Sequence, residues 1–385
     1  MKLFFVNVWD NLETAWSGTP NGLYGALSSK VELCRLDINA YRQPCWIPIF
    51  HRISSFFKVQ TMDISNVKFI ARAISRHSIP ADAPLFVFGE YQSKYVKNTF
   101  VYQDLSVDYL LRSRIQHTPA ENYIISSNIS TDSIIQKQNI ANQFYHECAG
   151  IFTMSEWLRN DLVNNTGIAP NKVHHVGGGC NIDISKIDYS SKTGNKFLFI
   201  GKDWDRKNGK LVVDAFEKLC STNFNCHPKL YIAGPNTKPE CIQNNENIVF
   251  LGCLTYDELA AYYNMCDYFV MPSKFEAYGL VFVEALCFGL PCIGKNICAM
   301  PEFIQENKNG LLIQDDDVDE LATAMSKMIA EGPAMAQFVQ KKRDYYIDKY
   351  SWDSVVNRIL HVLQKEGFGD SMHSFPMHEI DCDLV

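Results

Sequence analysis

The chain holds no run of about 20 apolar residues, the length a helix needs to cross a bilayer, so no membrane span is expected. It has 13 cysteines but no Cys-x-x-Cys pair. Cys34, Cys266, Cys287 and Cys292 fall within apolar strand or helix patterns, which suits buried thiols in a reducing compartment better than disulfides or a zinc site. The first ten residues carry a short apolar stretch without a small-residue cleavage site and read as a first strand, not a signal peptide. Excess positive charge is missing too: the net charge is −7, which argues against a general nucleic-acid binder. No internal repeat and no low-complexity tract interrupts the pattern. Two Asp-x-Asp stretches, Asp381-Cys382-Asp383 in the tail and Asp315 to Asp317 at a helix start, do not follow a suitable strand, so no divalent metal site is expected.

What remains is a globular composition, 46% apolar and 21% charged, over 385 residues, enough for two domains of ordinary size. Charge is uneven: residues 1–192 carry about +2 and the rest about −9, with seven Lys/Arg against three Asp/Glu between 51 and 100. That face could meet an anionic or membrane-held molecule, or simply be solvated. Strands are expected at 2–9, 31–37, 84–89, 99–103, 122–127, 150–154 and 173–176, with helices at 20–29, 65–77, 131–147 and 155–165. After a polar linker from Asp188, strands follow at 196–201, 229–233, 247–251, 267–271, 291–294 and 311–313. Helices there are expected at 208–220, 255–265, 279–288, 301–306 and 317–330, then Gln337 to Lys349 and a Ser351-capped segment. Such alternation means parallel sheets covered on both faces, an α/β fold.

The densest signal lies at 268–313. Tyr268 to Met271 reads as a strand broken at Pro272, and a loop holding Glu276 follows. Gly279 opens a helix containing Glu284, and Gly289-Leu290-Pro291 stops it. Glu284 is thus about five residues into the helix, roughly 7 Å along its axis. Between the two glutamates the backbone N–H groups of Tyr278, Gly279 and Leu280 are free to bind a phosphate. A carboxylate can accept two hydrogen bonds from a vicinal diol. The layout suits a sugar, a diphosphate and a ribose in line; otherwise the glutamates only complement the helix dipole.

This segment resembles the retaining nucleotide-sugar glycosyltransferases of the GT-B fold, family four, whose E-x7-E motif Glu276 and Glu284 match. The resemblance implies two Rossmann-like doubly wound domains facing a cleft. An acceptor domain would cover 1–190 and a nucleotide-sugar donor domain 191–345. A helix over 346–366 would cross back to the first domain, anchored by Trp352, ahead of a tail at 367–385. It implies that Glu276 meets the donor sugar and Glu284 the ribose, with Ala277, Tyr278, Gly279 and Leu280 along the diphosphate. Phe197 to Phe216 is similar to the family segment in which an Arg and a Lys neutralise the leaving diphosphate. Lys207 matches that lysine, whereas Lys202 replaces the usual Arg and loses its fork. Arg206 is an alternative source, so which cation grips which phosphate stays open; a plain solvated loop is the other reading. Asn208 replaces a usual Gly.

The stretch from Trp16 resembles the family's glycine loop, with Gly18 allowing close backbone approach and Pro20 in the first helical turn, though an ordinary turn would look alike. Asp104, after strand 99–103, would face the donor sugar or the acceptor hydroxyl, or else cap the next helix. Gly252 and Leu254 would meet the nucleotide base. The Ser155-Glu156-Trp157 helix start and the Val173 strand also match. His174 and His175 lie in that strand, one toward the core, with no carboxylate or Cys expected nearby to complete a metal site.

The implied reaction moves a sugar from a UDP- or GDP-sugar to a hydroxyl of a glycan or lipid-linked acceptor, with retention and without metal or cofactor. Glu276, Asp104 and Lys207 would carry the chemistry, in surface polysaccharide assembly. The alternatives are a GT-B nucleotide-sugar epimerase and a non-catalytic partner subunit. No nucleic-acid partner is expected. The site would be cytoplasmic, and residues 45–58, apolar with interspersed cations, could touch the inner face of the membrane or form a core loop.

Overall fold

A computed structural model describes residues 1–38, 64–118, 129–188, 194–222, 227–242 and 245–368. The expected strand at 122–127, the segment 45–58 and the tail beyond 368 lie outside these residues. The first half is a parallel sheet of β1 (Lys2–Asn7), β2 (Glu32–Asp37), β3 (Leu85–Val87), β4 (Thr99–Gln103), β5 (Gly150–Thr153) and β6 (Val173–His175), in the order β2-β1-β3-β4-β5-β6. The second half repeats the plan with β7 (Lys196–Ile200), β8 (Lys229–Ala233), β9 (Ile248–Gly252), β10 (Tyr268–Met271), β11 (Cys292–Lys295) and β12 (Gly310–Ile313), ordered β12-β11-β10-β7-β8-β9. Strand direction reverses its progression between β1 and β3 in one sheet and between β7 and β10 in the other. Crevices for ligands open at such switch points, beyond the strand carboxyl ends.

Alternation within β1 shows how the sheet buries both faces. Leu3 and Phe5 join a large apolar cluster that runs into the second half, while Phe4 and Val6 join one on the opposite side. The helix Trp352–Lys365 presents Val355, Val356, Ile359 and Leu363 to the larger cluster, and Ser351 caps it, accepting from the Ser354 N–H at 3.0 Å. That helix packs on Thr19–Ser28 of the first half. The Trp352 indole donates to Asn181 Oδ1 at 2.9 Å, and a Cβ on either Gly22 or Gly179 would overlap its ring.

Two helix expectations needed correction. The segment expected at 317–330 runs as one helix, Val318–Lys341, and the next begins only at Arg343. Gly332-Pro333 reads as a break because Pro lacks an N–H and crowds the preceding turn. Burial of Leu321, Met325, Met328, Met335 and Val339 carries the helix across it. The helix expected at 301–306 is the single turn Met300–Phe303. Among the described residues no helix is long and apolar enough to cross a membrane.

Candidate functional site

The site is built from the loops that leave β1, β4, β7 and β10. Gly279 sits at φ +84°, a left-handed turn that sends the chain from the Glu276 loop into the helix Leu280–Cys287. A side chain there would also press on Met300, Phe282 and Glu276. The N–H groups of Tyr278, Gly279 and Leu280 at this helix start have no hydrogen-bond partner among the described residues.

Lys207 and Arg206 do not wait on empty space. Lys207 Nζ forms an ion pair with Glu276 Oε2, and Arg206 Nη1 stands 3.4 Å from the same oxygen. Burial draws the Lys207 ammonium below its usual pKa, against the pull of Glu276. Arg206 also donates to Asp203 Oδ2 at 3.1 Å and to the Phe275 carbonyl at 3.2 Å, which stitches the loop after β7 to the loop after β10. Lys202 is exposed and has no ion pair among the described residues, so of the three cations it alone is unengaged. Asn208 adopts φ +59° and donates to Asp316 Oδ1 at 2.9 Å. Asn tolerates this left-handed backbone, which accounts for its presence where Gly is usual.

Asp104 is half-buried just after β4, with the Trp16 indole beside it. Burial, with the Glu276 carboxylate close by, pushes its carboxyl up to about 7. It does not cap the following helix: Ser106 does, accepting from the Tyr109 N–H at 3.0 Å. Glu284 is only 3% exposed. It accepts from the Tyr263 hydroxyl at 3.1 Å, with the Asn181 backbone N–H close by, and burial pushes it up to about 7 as well.

The glycine loop carries three consecutive left-handed residues, Trp16, Ser17 and Gly18, at φ +44°, +54° and +82°. The Ser17 carbonyl accepts from Asn181 Nδ2 at 2.6 Å and from the Tyr256 hydroxyl at 3.0 Å, so the second half's Tyr256 closes directly on this loop. Non-glycine residues held left-handed store strain that the surroundings must over-determine. Here two hydrogen bonds to one carbonyl do so. Gly252 ends β9 at φ +70°, its carbonyl accepting from the Gly234 N–H at 2.8 Å, and half-buried Leu254 follows just before the Thr255 helix cap.

The structure thus brings Glu276, Asp104, Arg206 and Lys207 together, and sets Ala277, Tyr278, Gly279 and Leu280 beside them. Glu284 lies apart among Tyr263 and Asn181. Sequence reasoning missed Trp16 beside Asp104, Ser17 as acceptor, and Asn181, Tyr256 and Tyr263. It also missed another Asp-x-Asp, Asp203-Trp204-Asp205, which does follow β7. Asp203 is turned to Arg206, and no group of three metal-ligating side chains occurs among the described residues. His175, expected to lack a carboxylate neighbour, has Nδ1 3.3 Å from Glu156 Oε2; the half-buried His174 packs by Phe152 instead.

Residues 182–345 match the family described as glycosyl transferases group 1. A protein of the cps region of Klebsiella pneumoniae, itself uncharacterized, is 38% identical over 215 residues, 51% of this chain and 54% of that protein. An uncharacterized glycosyltransferase of Methanocaldococcus jannaschii is 24% identical over 240 residues, 57% of this chain and 60% of its own length. The chain therefore spans little more than half the length of these relatives. In three dimensions, the sucrose-phosphate synthase of Thermosynechococcus elongatus superposes with a TM-score of 0.66 at 13% identity, covering 94% of this chain and 98% of the other. Two parallel six-stranded sheets among the described residues and these likenesses agree: the chain has the GT-B fold, and its residues 182–345 are similar to the glycosyl transferases group 1.

Proposed function

We propose that the protein is a retaining glycosyltransferase that moves a sugar from a UDP- or GDP-sugar to a hydroxyl of a glycan or lipid-linked acceptor. The observation that carries this reading is the meeting of Glu276, two cations and the free N–H groups of Tyr278, Gly279 and Leu280 at one helix start. Glu276 would accept hydrogen bonds from the donor sugar's hydroxyls, sharing or giving up its hold on Lys207 and Arg206. Those cations, with Lys202 and the dipole of the helix Leu280–Cys287, would offset the charge that builds on the leaving diphosphate, in the part a divalent cation plays elsewhere. The bond from the anomeric carbon to the phosphate oxygen breaks, and the acceptor oxygen bonds to that carbon on the same face. The acceptor's proton passes to the departing phosphate. Asp104 faces this space from the first half and would orient the acceptor hydroxyl or the sugar. Closure of the Ser17 loop against Tyr256 keeps water from the activated sugar.

Likeness to a cps-region protein supports a setting in surface polysaccharide assembly, and we place the reaction in the cytoplasm, at the inner face of the membrane where a lipid-linked acceptor would be met. The test is turnover of a panel of UDP-, GDP- and ADP-sugars by the wild type and by Glu276→Ala. The variant should lose nearly all sugar transfer yet still bind free nucleoside diphosphate. Wild-type turnover by Glu276→Ala would overturn the assignment.

A further inference from the structure

Glu302 belongs to the second half, on the turn Met300–Phe303, but its carboxylate is seated on a helix of the first. Oε2 accepts from the Glu156 N–H at 3.0 Å and Oε1 from the Trp157 N–H at 2.6 Å. The next N–H, that of Leu158, goes to Ser155 Oγ at 3.1 Å. A helix start leaves such donors unpaired and carries a partial positive charge, so a carboxylate there is held by charge as well as by two hydrogen bonds.

Ring contacts lead from this seat back to the candidate site. Trp157 meets Tyr109 edge to face, with centroids 4.9 Å apart, and Tyr109 stacks on Phe275 at 6.1 Å. Phe275 immediately precedes Glu276, and its carbonyl is the one that holds Arg206. On the other side, Phe303 packs edge-on against Tyr278 at 4.9 Å. The Tyr278 hydroxyl accepts from the Gly178 N–H at 2.9 Å and donates to the Gly178 carbonyl at 3.2 Å, in the segment that leaves the first sheet. The Glu302 contact therefore completes a ring of contacts around the Glu276 loop, half of it from each side of the cleft.

We propose that Glu302 is a positioning residue. Its carboxylate, seated on the helix Glu156–Asn164, fixes the first half over Glu276 and so sets where the acceptor hydroxyl meets the donor sugar. This rests on the glycosyltransferase reading of the site and deepens it. Donor contacts made by the loops after β7 and β10 survive loss of the seat. What changes is the competition between acceptor and water for the bound sugar.

Glu302→Ala and Glu302→Gln test the idea. Free nucleoside diphosphate should bind within about two-fold of wild type, because its contacts lie elsewhere. Transfer kcat should fall about ten-fold or more, the loss expected for charge-assisted hydrogen bonds, while the share of donor lost to hydrolysis rises. Glu302→Gln keeps one carbonyl acceptor and should fall between Ala and wild type. A role in stability alone would lower the melting temperature and both rates together; an unchanged ratio of transfer to hydrolysis overturns the proposal. Solution scattering at saturating UDP and GDP reads the same contact without catalysis. Glu302→Ala should be more extended than wild type, and superimposable curves overturn the proposal. Absence of any nucleotide-sugar turnover by the wild type would instead overturn the functional reading, with the scattering comparison still deciding the role of Glu302.

Discussion

Removing the Lys207 ammonium tests the heart of the site, because the structure gives it two separable effects. In the free protein it forms an ion pair with Glu276, and the two side chains are 11% and 13% exposed. Breaking such a pair costs about 3–5 kcal/mol when the remaining charge is left alone. Glu276 is not left alone, since Arg206 stays 3.4 Å from the same oxygen. Lys207 also gives back its own burial cost on removal. The expected loss in Lys207→Ala is therefore smaller, about 1–3 kcal/mol, the scale of one charged hydrogen bond. In thermal unfolding that corresponds to a few degrees, at about 2–4 °C per kcal/mol for a unit of this size. Catalysis should suffer more. If Lys207 strengthens its contact only as charge builds on the leaving diphosphate, kcat falls about 100- to 1000-fold with little change in donor KM. Steady-state kinetics with the best donor of the panel, alongside a melting curve, separates the two effects. A rise in KM alone would mean a contact made equally in ground and transition states. No change in either, with Lys202→Ala destroying kcat, would exchange the two lysines' roles; Lys202→Arg should be tolerated.

On the proposed reading, in which side-chain cations and a helix start take the part of a metal, activity should survive EDTA; loss on chelation restored by Mg²⁺ or Mn²⁺ would refute that. Asp104 and Glu284 both rise from their ordinary values of 3.8 and 4.5 to about 7, so the folded protein keeps protons that the unfolded chain has already released. Their contribution to stability is full below pH 4 and is lost as pH rises through 7. Asp104→Asn cannot ionise and should flatten that decline, as read from melting temperatures between pH 5 and 8. A slope equal to that of wild type would show that burial of Asp104 has been misjudged.

Most of the strand plan was legible in the sequence because parallel strands buried on both faces read as apolar runs, and β4, β8 and the helix Thr131–Glu147 match their expected limits. Glu276 stood out because its strand, proline, loop and glycine are contiguous. Contacts between distant segments were not legible. The Trp16 indole beside Asp104, the Asn181 N–H near Glu284 and the Glu302 seat on Glu156 bring together residues with no shared local pattern. The cations of the β7 loop were read as facing phosphate, yet Arg206 and Lys207 turn to Glu276. Spacing along a chain does not reveal which of the protein's own carboxylates a cation meets.

The indole of Trp352 lies against Gly22 and Gly179, residues from two other parts of the chain, and each has room for hydrogen only because the ring fills the rest. These three positions share one packing constraint. A relative carrying a small residue in place of Trp352 is free to bear side chains where Gly22 and Gly179 stand, and one keeping the tryptophan is not. A change at any one of the three by itself meets either a clash or a void, so divergence here must pass through paired substitutions. The seating of the helix Trp352–Lys365 is therefore written as much in two distant glycines as in the helix itself.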